Sequence, residues 1–385
     1  MEQNLTCRYA AIQFVYWAGI CTAQTYATTF FLGMGLKNAS IGIILALGNV
    51  VGAVVQPLLG KLGLRLVHNR LHLAASLTAL TALLALLTMR AACELPWVAA
   101  ASFAVTVTMI IAIQGFLNAL GMGYINEGHA LDFGIGRGVG SAGYAFSSYA
   151  AGVLVIWTGS RNIPLIAVAV MGVLAAGFLT FPSVECQKPG DETPSLSMIP
   201  TLKKTPAFST FLFGCMFLFT SYNACSTYLI QIVTAFGGGT DDMGKAAALG
   251  AALEVPAMAA MTWLLRHFSL QNLLKASSVF LTIKMGAIWL TGTISGVYFA
   301  QLLQPLSYAV FIPTTVLFAN KILPIHDRAI GQVLLVESNT LANIIGSLGA
   351  GVLLQAGGVA QMLATGLILS TIGCLLVFVA IKKAK

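Results

Sequence analysis

Long apolar runs alternate with short polar breaks along the whole chain, and the runs are as long as a membrane crossing. They are continuous and rich in Leu, Ala and Gly, as in TALTALLALLT, which is helix chemistry. A membrane β-strand would instead alternate apolar and polar positions over about 10 residues. A helix needs about 20 mainly apolar residues to cross the hydrocarbon core. On that measure the polar breaks predict twelve spans. Six lie near 9–33, 39–63, 70–89, 95–123, 135–159 and 162–181. Six more lie near 207–235, 243–266, 271–293, 295–320, 329–355 and 358–381. The expected fold class is an all-α membrane protein of two six-helix bundles, 1–181 and 207–385. Between them PSVECQKPGDETPSLSMIPTLKKTP (182–206) is the one long polar stretch, and its Pro, Gly, Ser and charges predict a solvated cytoplasmic linker.

Composition removes the soluble alternatives. Hydrophobic residues make up 58% of the 385 and charged ones only 8%, where a soluble domain carries about a quarter. The net charge of +8 does not point to nucleic acid, because the cations punctuate the spans and never form a patch. They do set an orientation. With the N-terminus inside, fifteen Lys and Arg collect on one side and only Lys37, Arg90, Arg161 and Lys245 on the other. Lys284 falls inside a span. The bias predicts a multi-pass protein of the cell membrane with both termini in the cytoplasm. MEQNLTCRYAAIQF leads directly into a span without an A-x-A site, so no cleavable signal peptide is expected.

Little other chemistry is visible. The seven Cys are scattered, without a CxxC pair, and read as small buried hydrophobes. The five His fall in or near loops without metal spacing, so no metal is expected. No Walker motif is present, and GIGRGVG lacks the strand and βαβ unit of a dinucleotide site. No cofactor is expected, and no nucleophile–base pair suggests an enzyme.

The two halves repeat. At an offset of 202, Gly42, Ala46, Leu47 and Gly48 meet Gly244, Ala248, Leu249 and Gly250. At an offset of 195, Asp132, Ile135 and Gly136 meet Asp327, Ile330 and Gly331. Internal repeats of this kind are a hallmark of secondary transporters.

Four stretches carry a family resemblance: YWAG with IGIILALGNVVGAVVQPLLG in spans 1 and 2, DFGIGRGVGSAGYAFSSYAAG entering span 5, ALEVPAM in span 8, and QLLQPLSYAVFIP with DRAIGQ in spans 10 and 11. With the span count, the chain resembles the major facilitator superfamily, in the branch of lactose permease and related solute:proton symporters. The resemblance places Arg137 at that permease's sugar-binding Arg and retains its span 8 Glu as Glu254. The sequence departs from it elsewhere. Leu64 stands at the Asp of the usual Gly-x-x-x-Asp-Arg loop, between Gly60 and Arg65. Ala119, beside Asn118, stands at the span 4 Glu, Lys284 at the span 9 Arg, Gln304 at the span 10 His and Ser307 at the span 10 Glu.

Charges inside spans cost about 2.5–3.5 kcal/mol each on insertion scales, so each needs a reason. Four qualify: Arg137, Glu254, Lys284 and Glu337. Glu254, midway along span 8, is the first candidate for a proton-carrying carboxylate; a static ion pair with Lys284 is the bland alternative. Lys284 is a candidate contact for an anionic group, or the neutraliser of Glu254. Glu337 is a second carboxylate candidate, but Gln332, Asn339 and Asn343 share a face from which it points away, toward a neighbouring helix of its own half. Arg137 is either a solute ligand or a cytoplasmic anchor, among Gly134, Gly136, Gly138, Gly140 and Gly143, which allow close helix approach.

Amides and aromatics form stripes. On span 1, Gln13, Trp17, Gln24 and Thr28 fall within about 60° of one another at 100° per residue. Gln114 and Asn118 are four apart on span 4, Asn223, Thr227 and Gln231 follow on span 7, and Gln301, Gln304 and Tyr308 share a face on span 10. Such groups suit a neutral polar solute, although any single amide is as well explained by an interhelical hydrogen bond. The candidate solute-binding set is Trp17, Gln24, Gln114, Asn118, Arg137, Asn223, Lys284, Gln304, Tyr308 and Asn339.

The resemblance implies a monomeric secondary transporter in the lipid bilayer, taking up a sugar, nucleoside or similar solute with protons by alternating access. Two other readings stay open: proton-driven efflux of drugs or sugars, and a transport-like receptor or lipid-handling protein without coupled flux.

Overall fold

A computed structural model describes residues 3–67, 70–129, 131, 133–182, 202, 205–324 and 327–384. The linker expected at 182–206 falls mostly outside them, as do the side chains at 56–66, which include Gly60, Leu64 and Arg65 near the end of span 2. Helices account for the regular structure of the described residues.

Seven spans are continuous or nearly so. Span 2 is Asn38–Leu66, span 3 Leu71–Ala91, span 4 Pro96–Asn126, span 5 Phe133–Thr158, span 6 Ile163–Leu179, span 7 Pro206–Thr227 continued by Leu229–Ala235, and span 9 Leu270–Thr291. Spans 4, 6 and 7 start with Pro in the first turn, where its missing N–H costs nothing. Spans 11 and 12 form one unbroken run of helix, Arg328–Lys383, except at Gly358, whose φ of 71° lies in the left-handed region. A 56-residue helix would be about 84 Å long, far beyond a hydrocarbon core of about 30 Å. The turn at Gly358 makes it two crossings, as the polar breaks predict.

Three spans are interrupted. Span 1 runs as Gln3–Ile20, a π-helical turn Cys21–Thr25, and Ala27–Gly33. Span 8 bends by 54° between Thr240–Ala259 and Met261–His267, just after Pro256. Span 10 breaks between Ile294–Gln301 and Tyr308–Ile322, around Pro305. Interruptions hide spans from a length criterion. Among the described residues eight helices are long and apolar enough to cross, or nine with the bent span 8. Dividing Arg328–Lys383 and joining the pieces of spans 1 and 10 gives twelve.

Two compact units emerge: Met1–Lys188 with Gly239–Ala251, and Pro189–Gly238 with Ala252–Lys385. In the first, span 5 lays a row of glycines against span 1. A Cβ at Gly136 would lie 2.6 Å from Tyr9 Cδ1, and Gly140 and Gly143 face Trp17 and the backbone of Phe14 in the same way. Gly138, on the other side of the helix, has open space. The start of span 8 docks by the same device. Gly244 lies against Gly152 and Tyr26, and a Cβ there would be 3.1 Å from Gly152 Cα and 2.8 Å from the Tyr26 hydroxyl.

The second unit is built around aromatic rings. Phe208, Phe211, Phe219, Phe311 and Phe318 are fully or almost fully buried, with Phe211 and Phe318 edge to face at 4.9 Å. Spans 7 and 12 cross at Gly214 and Gly373, where each glycine faces the other's carbonyl.

Candidate functional site

The second unit gathers its polar residues where its helices are interrupted. Pro305 cannot donate a backbone hydrogen bond, and the chain between Gln301 and Tyr308 runs as turns. The break turns Gln301 and Gln304 inward, leaving them 8% and 2% exposed. Lys284 of span 9, 5% exposed, meets both: Nζ donates to Gln301 Oε1 at 2.7 Å and to Gln304 Oε1. The other side of the Gln304 amide donates from Nε2 to Glu254 Oε1 at 2.5 Å and to the Tyr222 hydroxyl at 3.0 Å.

Chemistry dictates this amide orientation. An ammonium has only donors, so the atom facing Lys284 must be the amide oxygen, and the NH2 is left for the carboxylate. The amide dipole then runs head to tail between a cation and an anion. Glu254 and Lys284 make no direct salt bridge among the described residues. The ion pair considered from sequence is replaced by a three-residue relay in which Gln304 is the middle member.

Aromatic and amide groups flank the relay. Tyr222 and Tyr308 stack with centroids 4.0 Å apart and planes 9° from parallel. Lys284 Nζ lies 5.8 Å from the Tyr222 ring centroid, within cation–π range. Asn223 Nδ2 donates to Asn339 Oδ1 at 3.1 Å, tying span 7 to span 11. Six of the expected residues, Glu254, Lys284, Gln304, Tyr308, Asn223 and Asn339, therefore lie on helices of one unit. Tyr222 was missed from the sequence. Its only signal was adjacency to Asn223, 100° away on the helix.

Glu337 stands apart. It is exposed on span 11 and makes no hydrogen bond or ion pair among the described residues, so it does not face a helix of its own half as its spacing suggested. Two amides of the face it was expected to point away from are engaged structurally: Gln332 Nε2 donates to Asn320 Oδ1 at 2.8 Å, and Asn343 Oδ1 accepts from Ser347 at 3.2 Å.

In the first unit, Gln13 is committed to packing: it is 1% exposed and donates to the Tyr9 hydroxyl at 2.9 Å. Gln24 lies in the π-helical turn of span 1, a feature common at functional sites. Gln24 and Gln114 are half-buried and make no side-chain hydrogen bond among the described residues. Asn118 has a buried Oδ1 without a partner. An orphaned acceptor of this kind is costly and needs a reason. Trp17 is half-buried against Gly140. Arg137 lies in the span 5 helix, but its side chain is outside the described residues. Among the described residues no cluster of His, Cys, Asp or Glu has the arrangement of a metal site.

This architecture, twelve helical crossings with a buried polar relay in one unit, is that of a multi-pass membrane protein. The profile of the MFS_1 like family matches residues 6–364, and the chain belongs to that family, within the major facilitator superfamily. Its members are transporters and not enzymes. No curated protein matches the sequence. Solved structures do match in fold. Nucleoside transporter NupG superposes with a TM-score of 0.81 at 15% identity, covering 99% of each chain. A bacterial homologue of the iron transporter ferroportin, inward-facing, gives 0.76 at 12% identity over 100% of each chain. A bacterial homologue of the human lysosomal transporter Spinster, inward-facing and occupied, gives 0.71 at 14% identity, covering 99% of this chain and 97% of the other. At such identities the likeness carries the fold alone.

Proposed function

We propose that this protein is a proton-coupled symporter that takes up a neutral polar solute with a ring and hydroxyl groups, of the nucleoside or sugar class. It works by alternating access in the cell membrane, as a monomer with both termini in the cytoplasm. Two bundles, 1–181 and 207–385, are joined by a cytoplasmic linker at 182–206. The observation that carries this reading is the Glu254–Gln304–Lys284 relay. An ionised Glu254 is stabilised through the amide by the lysine. A protonated Glu254 removes the anion from one end of the chain of dipoles. Proton uptake at Glu254 is thus transmitted to Lys284 and the Tyr222–Tyr308 stack without a direct ion pair having to break.

Solute recognition is assigned to groups with spare capacity. Asn118, Gln24 and Gln114 supply unused amide donors and acceptors in the first unit, and Trp17 an aromatic face. Tyr222 and Tyr308 supply ring faces in the second, with Asn223 and Asn339 alongside. Glu337, exposed and unpaired among the described residues, is given no part in coupling.

The test is solute uptake into proteoliposomes loaded with a pH dye, comparing wild type with Glu254→Gln over a panel of nucleosides and sugars. Solute-dependent acidification of the lumen by wild type, absent in the variant while solute binding persists, is the expected result. Solute movement by wild type without any proton signal would overturn the coupling.

A further inference from the structure

Where spans 7 and 9 begin and spans 10 and 12 end, the second unit holds a cavity of about 550 Å³. Lys321 and Lys383 line it together with Gln271, Thr205 and Pro206, and no carboxylate is among its lining residues. Neither lysine has an ion pair among the described residues. Lys383 Nζ donates to Thr210 Oγ1 at 3.3 Å. Two helices start at this mouth, Pro206–Thr227 and Leu270–Thr291, and their first-turn N–H groups add partial positive charge. Among the described residues the mouth is cationic and no carboxylate lines it.

A second hollow of about 520 Å³ adjoins it, sharing Pro206 and continuing past Thr210 to Phe213, Phe217 and Leu376. It follows span 7 for about 16 Å at 1.5 Å per residue. Phe213 is 55% exposed on its wall.

The geometry points to a binding site for one anionic phospholipid, its phosphate against Lys321 and Lys383 and an acyl chain along Phe213, Phe217 and Leu376. Basic pockets between membrane helices are the usual seats of anionic headgroups. A soluble phosphate compound would satisfy the lysines and leave the apolar furrow bare. A zwitterionic lipid would bring its own cation against them. The inference is independent of the transport reading, since none of its residues belongs to the relay.

Native mass spectrometry of the delipidated full chain in detergent tests it, with dioleoylphosphatidylglycerol, dioleoylphosphatidylcholine and inorganic phosphate as probes. One phosphatidylglycerol should be retained on the order of tenfold more tightly than phosphatidylcholine, and millimolar phosphate should not displace it. The preference should disappear in Lys321→Gln with Lys383→Gln, and persist in Lys321→Arg with Lys383→Arg and in the distant control Lys245→Gln. Phe213→Gln, which leaves the charges alone, should weaken binding of both lipids and keeps the test decisive if the lysine variant fails to fold. Equal affinity for the two lipids in wild type overturns the assignment. So does undiminished phosphatidylglycerol binding in the Gln pair or in Phe213→Gln. Full displacement by phosphate would reassign the cavity to a soluble anion.

Discussion

Gln304 Nε2 donates to Glu254 Oε1 over 2.5 Å, while the oxygen of the same amide accepts from Lys284. A neutral side chain thereby bridges a carboxylate and an ammonium that make no direct ion pair among the described residues. Direct buried ion pairs carry a large desolvation cost and are hard to separate once formed. An amide-spaced pair keeps each charge hydrogen-bonded and lets one end change protonation while the other stays held.

Replacing the middle member should uncouple both ends. Gln304→Leu leaves Lys284 with Gln301 as its one hydrogen-bond acceptor among the described residues and removes a charge-assisted bond from Glu254, at a cost of about 2–3 kcal/mol for groups left short of partners. Proton movement driven by solute is expected to fall at least as far as in Glu254→Gln, with a lower Tm in detergent. Unchanged Tm and coupling would show that the relay is incidental.

The two charges should also be linked in stability. Glu254→Leu and Lys284→Met each leave one charge without its opposite at the far end of the amide, expected to cost about 1–3 kcal/mol apiece. The double variant removes both charges and should unfold at a higher temperature than either single variant. Strict additivity in a double-mutant cycle of Tm values would deny the link.

Glu337→Gln separates the two carboxylates of the second unit. Because Glu337 is exposed and makes no bond among the described residues, the variant should keep wild-type proton coupling in the pH-dye assay. Loss of coupling with solute binding intact would transfer the proton role to span 11.

Asn118 gives a reading of the solute. Its Oδ1 is buried without a donor, so Asn118→Leu removes an unpaired polar atom and should leave Tm unchanged or slightly raised. If a solute hydroxyl or amine supplies that donor, the same variant loses about tenfold or more in apparent affinity, as a site built to bond a polar group does. A fall in Tm with unaltered affinity would make Asn118 structural.

The glycine contact of spans 5 and 8 is testable against an internal control. Gly244→Leu drives a side chain into Gly152 and Tyr26 and should cost about 1–3 kcal/mol by overpacking. Gly349→Ala, at a glycine with open space around it, should be tolerated. Equal Tm losses in the two variants would mean that the contact does not matter.

Membrane residence, the helical class and the rough place of each crossing were legible in the chain itself. These follow from transfer free energies, which add up residue by residue along a span and need no knowledge of neighbours. For the same reason Glu254 and Lys284 stood out: each is costly wherever its helix ends up. The glycine row 136, 140, 143 was visible as composition, and the π turn at Cys21–Thr25 was not visible at all.

Tertiary structure decided the rest. Which face of each span turns inward depends on how the helix is rotated about its axis, and that is set by packing against its neighbours. Rotation put Gln304 between Glu254 and Lys284, brought Tyr222 onto Tyr308, gave Gln13 to Tyr9 and left Glu337 outside. A hydrogen bond between spans 50 residues apart, as between Gln304 and Glu254, is a property of their axial offset and rotation together, and neither quantity is written in the hydropathy of either span.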